Sequence, residues 1–338
     1  MNVFELTRAL VDLESITGNE LAIGRYLFER LSEMAAGTDG RVESLEVERD
    51  RFNVFACWGE PVVTLSTHMD TVPPFLPSSE DAEAIWGRGA CDTKGIIASM
   101  MKAAEALLMQ RVRGVGLLFV VGEERNSAGA YAAAKTPRGS RYLINGEPTE
   151  NKMAVGSKGA LRYEVFAKGR MAHSAYPELG DSAIDKLLDA LARMRKVPLP
   201  ADERLGASTF NVGTIHGGRA PNVIADEARA EVMIRLVDDG LQLHEAMSEA
   251  AGADVELREV LRIPAVHLGV LPGFETTVVA YTTDIPAFEG AWGEPFLLGP
   301  GTIHVAHTTE ERVPKAQLLE AVTLYERMVK QLVSGAME

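Results

Sequence analysis

Three short apolar runs in this chain stop abruptly at acids or a histidine. PVVTLST runs into His68-Met69-Asp70, GVGLLFVV into Gly122-Glu123-Glu124, and RYLI into Asn145-Gly146-Glu147. The runs are short and rich in Val, Leu and Ile, as strands buried on both faces are. Helical spacing appears between them, at Ile23, Leu27, Leu31 and Met34 and over IIASMMKAAEALLMQ (96–110). Strands alternating with helices predict an α/β layer with a mostly parallel sheet. Such sheets bind ligands beyond the carboxyl ends of their strands, which is where these polar residues fall.

The texture changes after about residue 160. LRYEVFAKG, STFNVGTI, ARAEVMIRLV and DVELREVL read as strands with one polar face, and SAIDKLLDALARMRKV and LQLHEAMSEAAG as helices. This is the pattern of a compact α+β unit with a half-exposed sheet. From about residue 275 the first texture returns, closing with the helix KAQLLEAVTLYERMVKQL. The expected organisation is one domain over 1–160 and 275–338, interrupted by a smaller domain over 161–274.

Composition narrows the setting. Lys and Arg number 34 against 48 Asp and Glu, a net charge of −14 that repels polyanions and disfavours a nucleic-acid partner. No apolar run approaches the ~20 residues of a membrane span, and the first residues lack the basic-then-apolar layout of a signal peptide. Two cysteines, Cys57 and Cys91, are too few for a disulfide framework. A reducing, cytoplasmic setting with no membrane partner is the expectation.

Five segments could carry chemistry. His68 with Asp70 two residues on has the form of a metal ligand oriented by a carboxylate, or of a structural His–Asp hydrogen bond. Asp92, in GRGACDTKG, is a candidate metal carboxylate or an N-cap of the following helix. Adjacent Glu123 and Glu124 repel unless a cation or proton shares them, though they could instead favour the N-terminus of AGAYAAAK. Glu147 could be a ligand or a solvated turn acid. His304 and His307, three apart, could both face a site, or supply one ligand and one packed or solvated neighbour. Taken jointly, histidines and carboxylates gathered at strand ends suit Zn²⁺, Mn²⁺ or Co²⁺, and two such ions bridged by one carboxylate are a hydrolytic device.

These motifs together, HMD, GRGACDTKG, GEE, NGEPT and AHTTEE, resemble the dinuclear zinc aminoacylase family, which includes acetylornithine deacetylase, succinyl-diaminopimelate desuccinylase, aminoacylase and glutamate carboxypeptidase. The middle segments KGALRYEV, MAHSAYPELGDSAI and GTIHGGRAPNVIADEA match as well, so the resemblance covers nearly the whole chain. It implies a phosphorylase/hydrolase-like metallopeptidase domain interrupted by a ferredoxin-like lid and dimerisation domain. It implies two Zn²⁺, with Co²⁺ or Mn²⁺ as substitutes, one held by His68, Asp92 and Glu147 and the other by Asp92, Glu124 and His307. Asp70 would orient His68, Glu123 would be the general base, and His173 would polarise the scissile carbonyl, typically across a homodimer interface. Asn222 and Arg235 match positions that grip a substrate carboxylate. The implied reaction is hydrolysis of an N-acyl amino acid by a metal-activated water. The alternatives are a di- or tripeptidase or carboxypeptidase on short peptides, or a non-catalytic binding protein, for which an intact Glu123 has no use. Departures from the family pattern are Thr93, Thr302 and Val223-Ile224-Ala225, of which the two threonines are expected to stand clear of the ligand set. Glu147, a Glu where some members carry Asp, leans toward deacylases and carboxypeptidases.

Overall fold

The computed structural model describes residues 1–335. The chain divides into two compact units. One comprises Met1–Val155, Leu268–Thr277 and the residues from Thr283 onward, the other Gly156–His267 and Val278–Thr282. Residues 268–274, expected in the insert, thus belong to the first unit, and 156–160 and 278–282, expected in the first, belong to the second. There the Leu268 amide donates to the Val155 carbonyl (3.1 Å), and the Leu271 amide lies 3.1 Å from the Met153 sulfur. Among the described residues no helix is long and apolar enough to cross a membrane.

The first unit is built on a six-stranded sheet in the spatial order Gly40–Glu48, Arg51–Trp58, Val115–Val120, Val63–His68, Tyr142–Asn145 and Glu294–Leu297. The last four strands run parallel, as the alternation of strands and helices requires. The first two form an antiparallel hairpin laid antiparallel on Val115–Val120. A two-residue connection leaves no room for a parallel crossover, and Asp50 turns it with φ of 61°. Register fixes where the site lies. His68 pairs with Val120 and Ser66 with Asn145, so three strands end at one level and their polar sequels emerge together.

Val63–His68 and Val115–Val120 are buried at every position, because both faces of the sheet are covered. Leu117 and Phe119 pack with helical residues Leu6, Met100 and Tyr325 on one face. Their neighbours Leu118 and Val120 pack with Ala130, Phe288 and Trp292 on the other. This is the period-two alternation of a strand. The Cys57 thiol belongs to the second cluster and is buried.

The second unit has a four-stranded antiparallel sheet ordered Thr209–Gly217, Glu227–Leu236, Gly159–Lys168 and Val255–Ile263. Alternate residues Leu161, Tyr163, Val165, Ala230, Val232 and Ile234 are buried with Leu187 and Leu191 of the helix Ala183–Met194 and Met247 of the helix Leu241–Ala251.

One glycine locks the loop that follows Val115–Val120. Gly129, in the helix Ala128–Ala134, packs so closely that an added Cβ would stand 2.5 Å from the Val121 nitrogen and oxygen and from Asn53 Oδ1. Gly129→Ala gains up to about 1 kcal/mol of helix propensity but forces backbone apart, and overpacking typically costs about 1–3 kcal/mol. The expected outcome is a net loss of stability, read as a lower denaturation midpoint with an unchanged m-value.

Candidate metal centre

His68 ends its strand with a ring that is almost fully buried, 1% exposed. Its Nδ1 lies 3.0 Å from the Asp70 backbone carbonyl and 3.5 Å from the Asp70 carboxylate. A carbonyl only accepts, so Nδ1 carries the hydrogen and Nε2 presents its lone pair. Nε2 faces Asp92 Oδ1 at 3.0 Å. Two acceptors this close require a proton or a metal cation between them. Burial opposes the charged ring, yet Asp70 and Asp92 push its pKa well above the ordinary histidine range.

Asp70 does more than face the ring. Its carboxylate accepts from the Thr17 hydroxyl (2.7 Å), the Glu123 amide (3.1 Å) and the Glu124 amide (3.3 Å). Burial opposes its ionisation, but the His68 ring, the Thr17 hydroxyl and the Glu123 amide hold it below the ordinary carboxylate range. One buried carboxylate therefore ties the HMD segment to the GEE backbone. The helix Ala128–Ala134 starts at Ser127 with no acid in its first turn, so the two glutamates do not serve that terminus.

Asp92 follows Gly89, whose φ of +84° opens the turn Ala90–Lys94. The helix Gly95–Met109 has no side-chain cap, so Asp92 is not its N-cap. Its second oxygen lies 3.2 Å from His307 Nε2, which is 2.9 Å from Glu124 Oε2. The ligand atoms of His68, Asp92 and Glu124 can all lie within 4.8 Å of one another. Asp92 is held low by His307 and His68 against its burial. Asp92 and Glu124 push the His307 ring up to about 10. His307 takes φ of +65°, a left-handed conformation that non-glycine residues seldom adopt and that recurs at functional sites. His304 is exposed, outside this cluster.

Glu147 is 4% exposed and its Oε1 has no hydrogen-bond partner. Burial pushes its carboxyl well above the ordinary range, with Asp92, Asp284 and Glu124 adding to the shift against His68. Glu123 is shifted the same way, by burial and then by Glu147, Asp284 and Glu124. No lysine or arginine pairs with any of these acids among the described residues. The donor set is two imidazole nitrogens aimed at carboxylates, plus a buried carboxylate oxygen with nothing to bind. It fits divalent metal of the zinc, cobalt or manganese type.

Several contributors escaped the sequence reading. Thr93 was expected clear of the ligands, but its hydroxyl donates to the His68 carbonyl (2.6 Å), and the Thr67 hydroxyl donates to the Gly146 carbonyl (2.7 Å). Small β-branched residues beside ligands were the available signal. Asp284, an acid inside the apolar run VVAYTTDIPAF, has both oxygens buried without a hydrogen-bond partner. Burial pushes its carboxyl up to about 7, and the Ser127 hydroxyl, short of bonding geometry, opposes the shift. Glu311, in AHTTEE, is buried against Arg88 of GRGACD.

His173, Asn222 and Arg235 belong to the second unit. His173 bridges Val223, and the Ser174 amide donates to the Asn222 carbonyl (3.0 Å), so the MAHSAYP and APNVIA segments lie side by side. Both residues are exposed. The His173 Nδ1 accepts from the Ala175 amide (3.1 Å). The helix Ala183–Met194 is capped by Ser182, so His173 does not cap it. Arg235, on Glu227–Leu236, is half-buried and makes no ion pair among the described residues. Loss of solvent alone pulls its pKa down.

Residues 64–331 match the model of peptidase family M20/M25/M40. A peptidase M20 domain-containing protein of Schizosaccharomyces pombe is 38% identical over 97% of this chain and 84% of its own length. A probable carboxypeptidase of Neosartorya fischeri is 37% identical over 96% of this chain and 85% of its own. The aminopeptidase PepT structure from Bacillus cereus superposes with a TM-score of 0.82 at 19% identity, covering 98% of each chain, and so shares the fold.

Asp70→Asn keeps the size of the side chain but removes charge and turns one acceptor toward the Glu123 and Glu124 amides into a donor. Partners behind metal ligands typically contribute about 10–100-fold in metal affinity. Calorimetric titration of the metal-stripped protein with Zn²⁺ should show a loss of that order. Unchanged affinity would confine Asp70 to the fold.

Proposed function

Since the chain belongs to peptidase family M20/M25/M40, a family of hydrolases, we propose that it cleaves the amide joining an acyl or peptidyl group to an amino acid with a free carboxylate. Carboxypeptidase action on short peptides and deacylation of N-acyl amino acids, of the acetylornithine or succinyl-diaminopimelate kind, are two forms of this one reaction. The probable carboxypeptidases among its relatives support the first form. The observation that carries the reading is the placement of Glu123, whose amide donates to Asp70 (3.1 Å), beside the clustered donor atoms of His68, Asp92 and Glu124.

His68, Asp92 and Glu147 would hold one metal ion and Asp92, Glu124 and His307 the other. The bound ions would supply Lewis acidity and a more acidic water. Glu123 accepts a proton from the attacking water and returns it to the leaving nitrogen, the work of a general base that becomes a general acid. Asp70 holds the Glu123 amide (3.1 Å) and so fixes where the base stands. In the second unit, proposed as lid and dimerisation element, the exposed His173 ring would donate to the developing oxyanion. Arg235, without an acidic partner, would receive the substrate carboxylate together with Asn222.

Glu123→Gln keeps the shape and cannot accept the proton. Metal content should stay constant while kcat falls by about 10²–10⁴. Unchanged turnover would move the base elsewhere. A substrate panel tests the wider reading: peptides and N-acyl amino acids with free C-termini should be cleaved and their C-terminal amides spared. Equal turnover of both would remove the carboxylate from recognition.

A further inference from the structure

We propose that Glu311 is a positioning residue that fixes the metal ligand Asp92, with Arg88 as its counter-ion. Its carboxylate is buried, with the side chain 0% exposed. Oε1 accepts from the Gly89 amide (2.8 Å) and the Asp92 amide (3.3 Å), and the Cys91 sulfur lies 3.8 Å away. Oε2 pairs with Arg88 Nη1. The Glu311 backbone carbonyl accepts from the Gly87 amide (3.0 Å). One residue thus gathers the whole of 87–92, the loop that presents Asp92.

The same residue ends the segment that begins at His307. Its next residues, Arg312–Pro314, pair antiparallel with Ala84–Trp86, the strand that leads into the loop. Two ligand-bearing loops are therefore stapled by a strand pair and by Glu311 beside it, with the Asp92–His307 contact of 3.2 Å between them. Gly89 is where the loop must be free of a side chain. An added Cβ would stand 2.8 Å from Lys94 Cδ and 2.9 Å from Thr71 Cγ2, and that same residue aims its amide at Glu311.

Buried ion pairs are weak sources of net stability, because desolvation offsets most of the attraction. Arg88, 1% exposed, neutralises a carboxylate whose other oxygen is committed to loop amides. The pair's product is the orientation of Asp92.

The inference rests on the reading that Asp92 holds metal, and the experiment separates the two. The full chain is stripped of metal and titrated with Co²⁺, following heat and the visible absorption of the bound ion, beside thermal denaturation without metal. Glu311→Asp keeps the charge for Arg88 but withdraws the carboxylate by one methylene. It should bind Co²⁺ about 10–100-fold more weakly with an altered spectrum. Arg88→Lys, which leaves the Glu311 acceptors in place, is the second variant should the first fail to fold, and it should shift affinity in the same direction. Variants that melt earlier yet bind Co²⁺ with unchanged affinity and spectrum would make Glu311 purely structural and overturn the proposal. Asp92→Asn is the control. If it retains full Co²⁺ binding, the assignment of Asp92 itself fails.

Discussion

Mutual repulsion among buried carboxylates governs this protein. Asp70, Asp92, Glu123, Glu124, Glu147 and Asp284 converge on one end of a sheet with two imidazoles and, among the described residues, no lysine or arginine paired with them. Burial alone drives several of them toward the neutral form. Hydrogen bonds relieve some of the charge, as the amides and hydroxyl around Asp70 do. Glu147 Oε1 and both Asp284 oxygens find none among the described residues. Protonated His68 and His307 offset part of the charge, and divalent cations would offset more of it. The surrounding architecture, parallel strands ending at one level with helices covering both faces, holds the acids where mutual repulsion would otherwise part them.

The wiring beneath the ligands is economical in parts. Asp70 serves HMD and GEE at once, Thr93 and Thr67 lash the GRGACD and NGEP segments to the His68 strand, and Glu311 binds the late AHTTEE segment to the Asp92 loop. Each of these bonds spans at least 25 residues of sequence except within HMD itself. The geometry is a property of the folded sheet and of none of its loops alone.

How much of this could be read from the sequence followed from range. The buried strands were legible because Val63–His68 and Val115–Val120 are apolar throughout, and the residues after them were conspicuous because they are polar where the runs stop. The edge strand Gly40–Glu48 was not legible. It is charged and mostly half-exposed, so it carries no apolar run, and its partner Arg51–Trp58 went with it. Roles that depend on contact at long separation were equally hidden. The sequence marks Glu311 as one acid among several in TTEE, and only the folded chain brings it to Arg88, 223 residues away. Asp284 sat inside a segment read by its apolar texture. The Thr93 hydroxyl looked like a neutral departure because its partner is a backbone carbonyl, which no side-chain pattern reveals.

The two histidines of the cluster differ sharply in access. The His68 side chain is 1% exposed, locked under the sheet's edge, whereas that of His307 is 50% exposed on a loop. Under the proposed assignment, ions and competing chelators would therefore arrive from one side. An ion held at His307 would stand at the solvent threshold and one held at His68 behind it. Loss of metal from such a site would begin at the His307 end and reach the His68 end later.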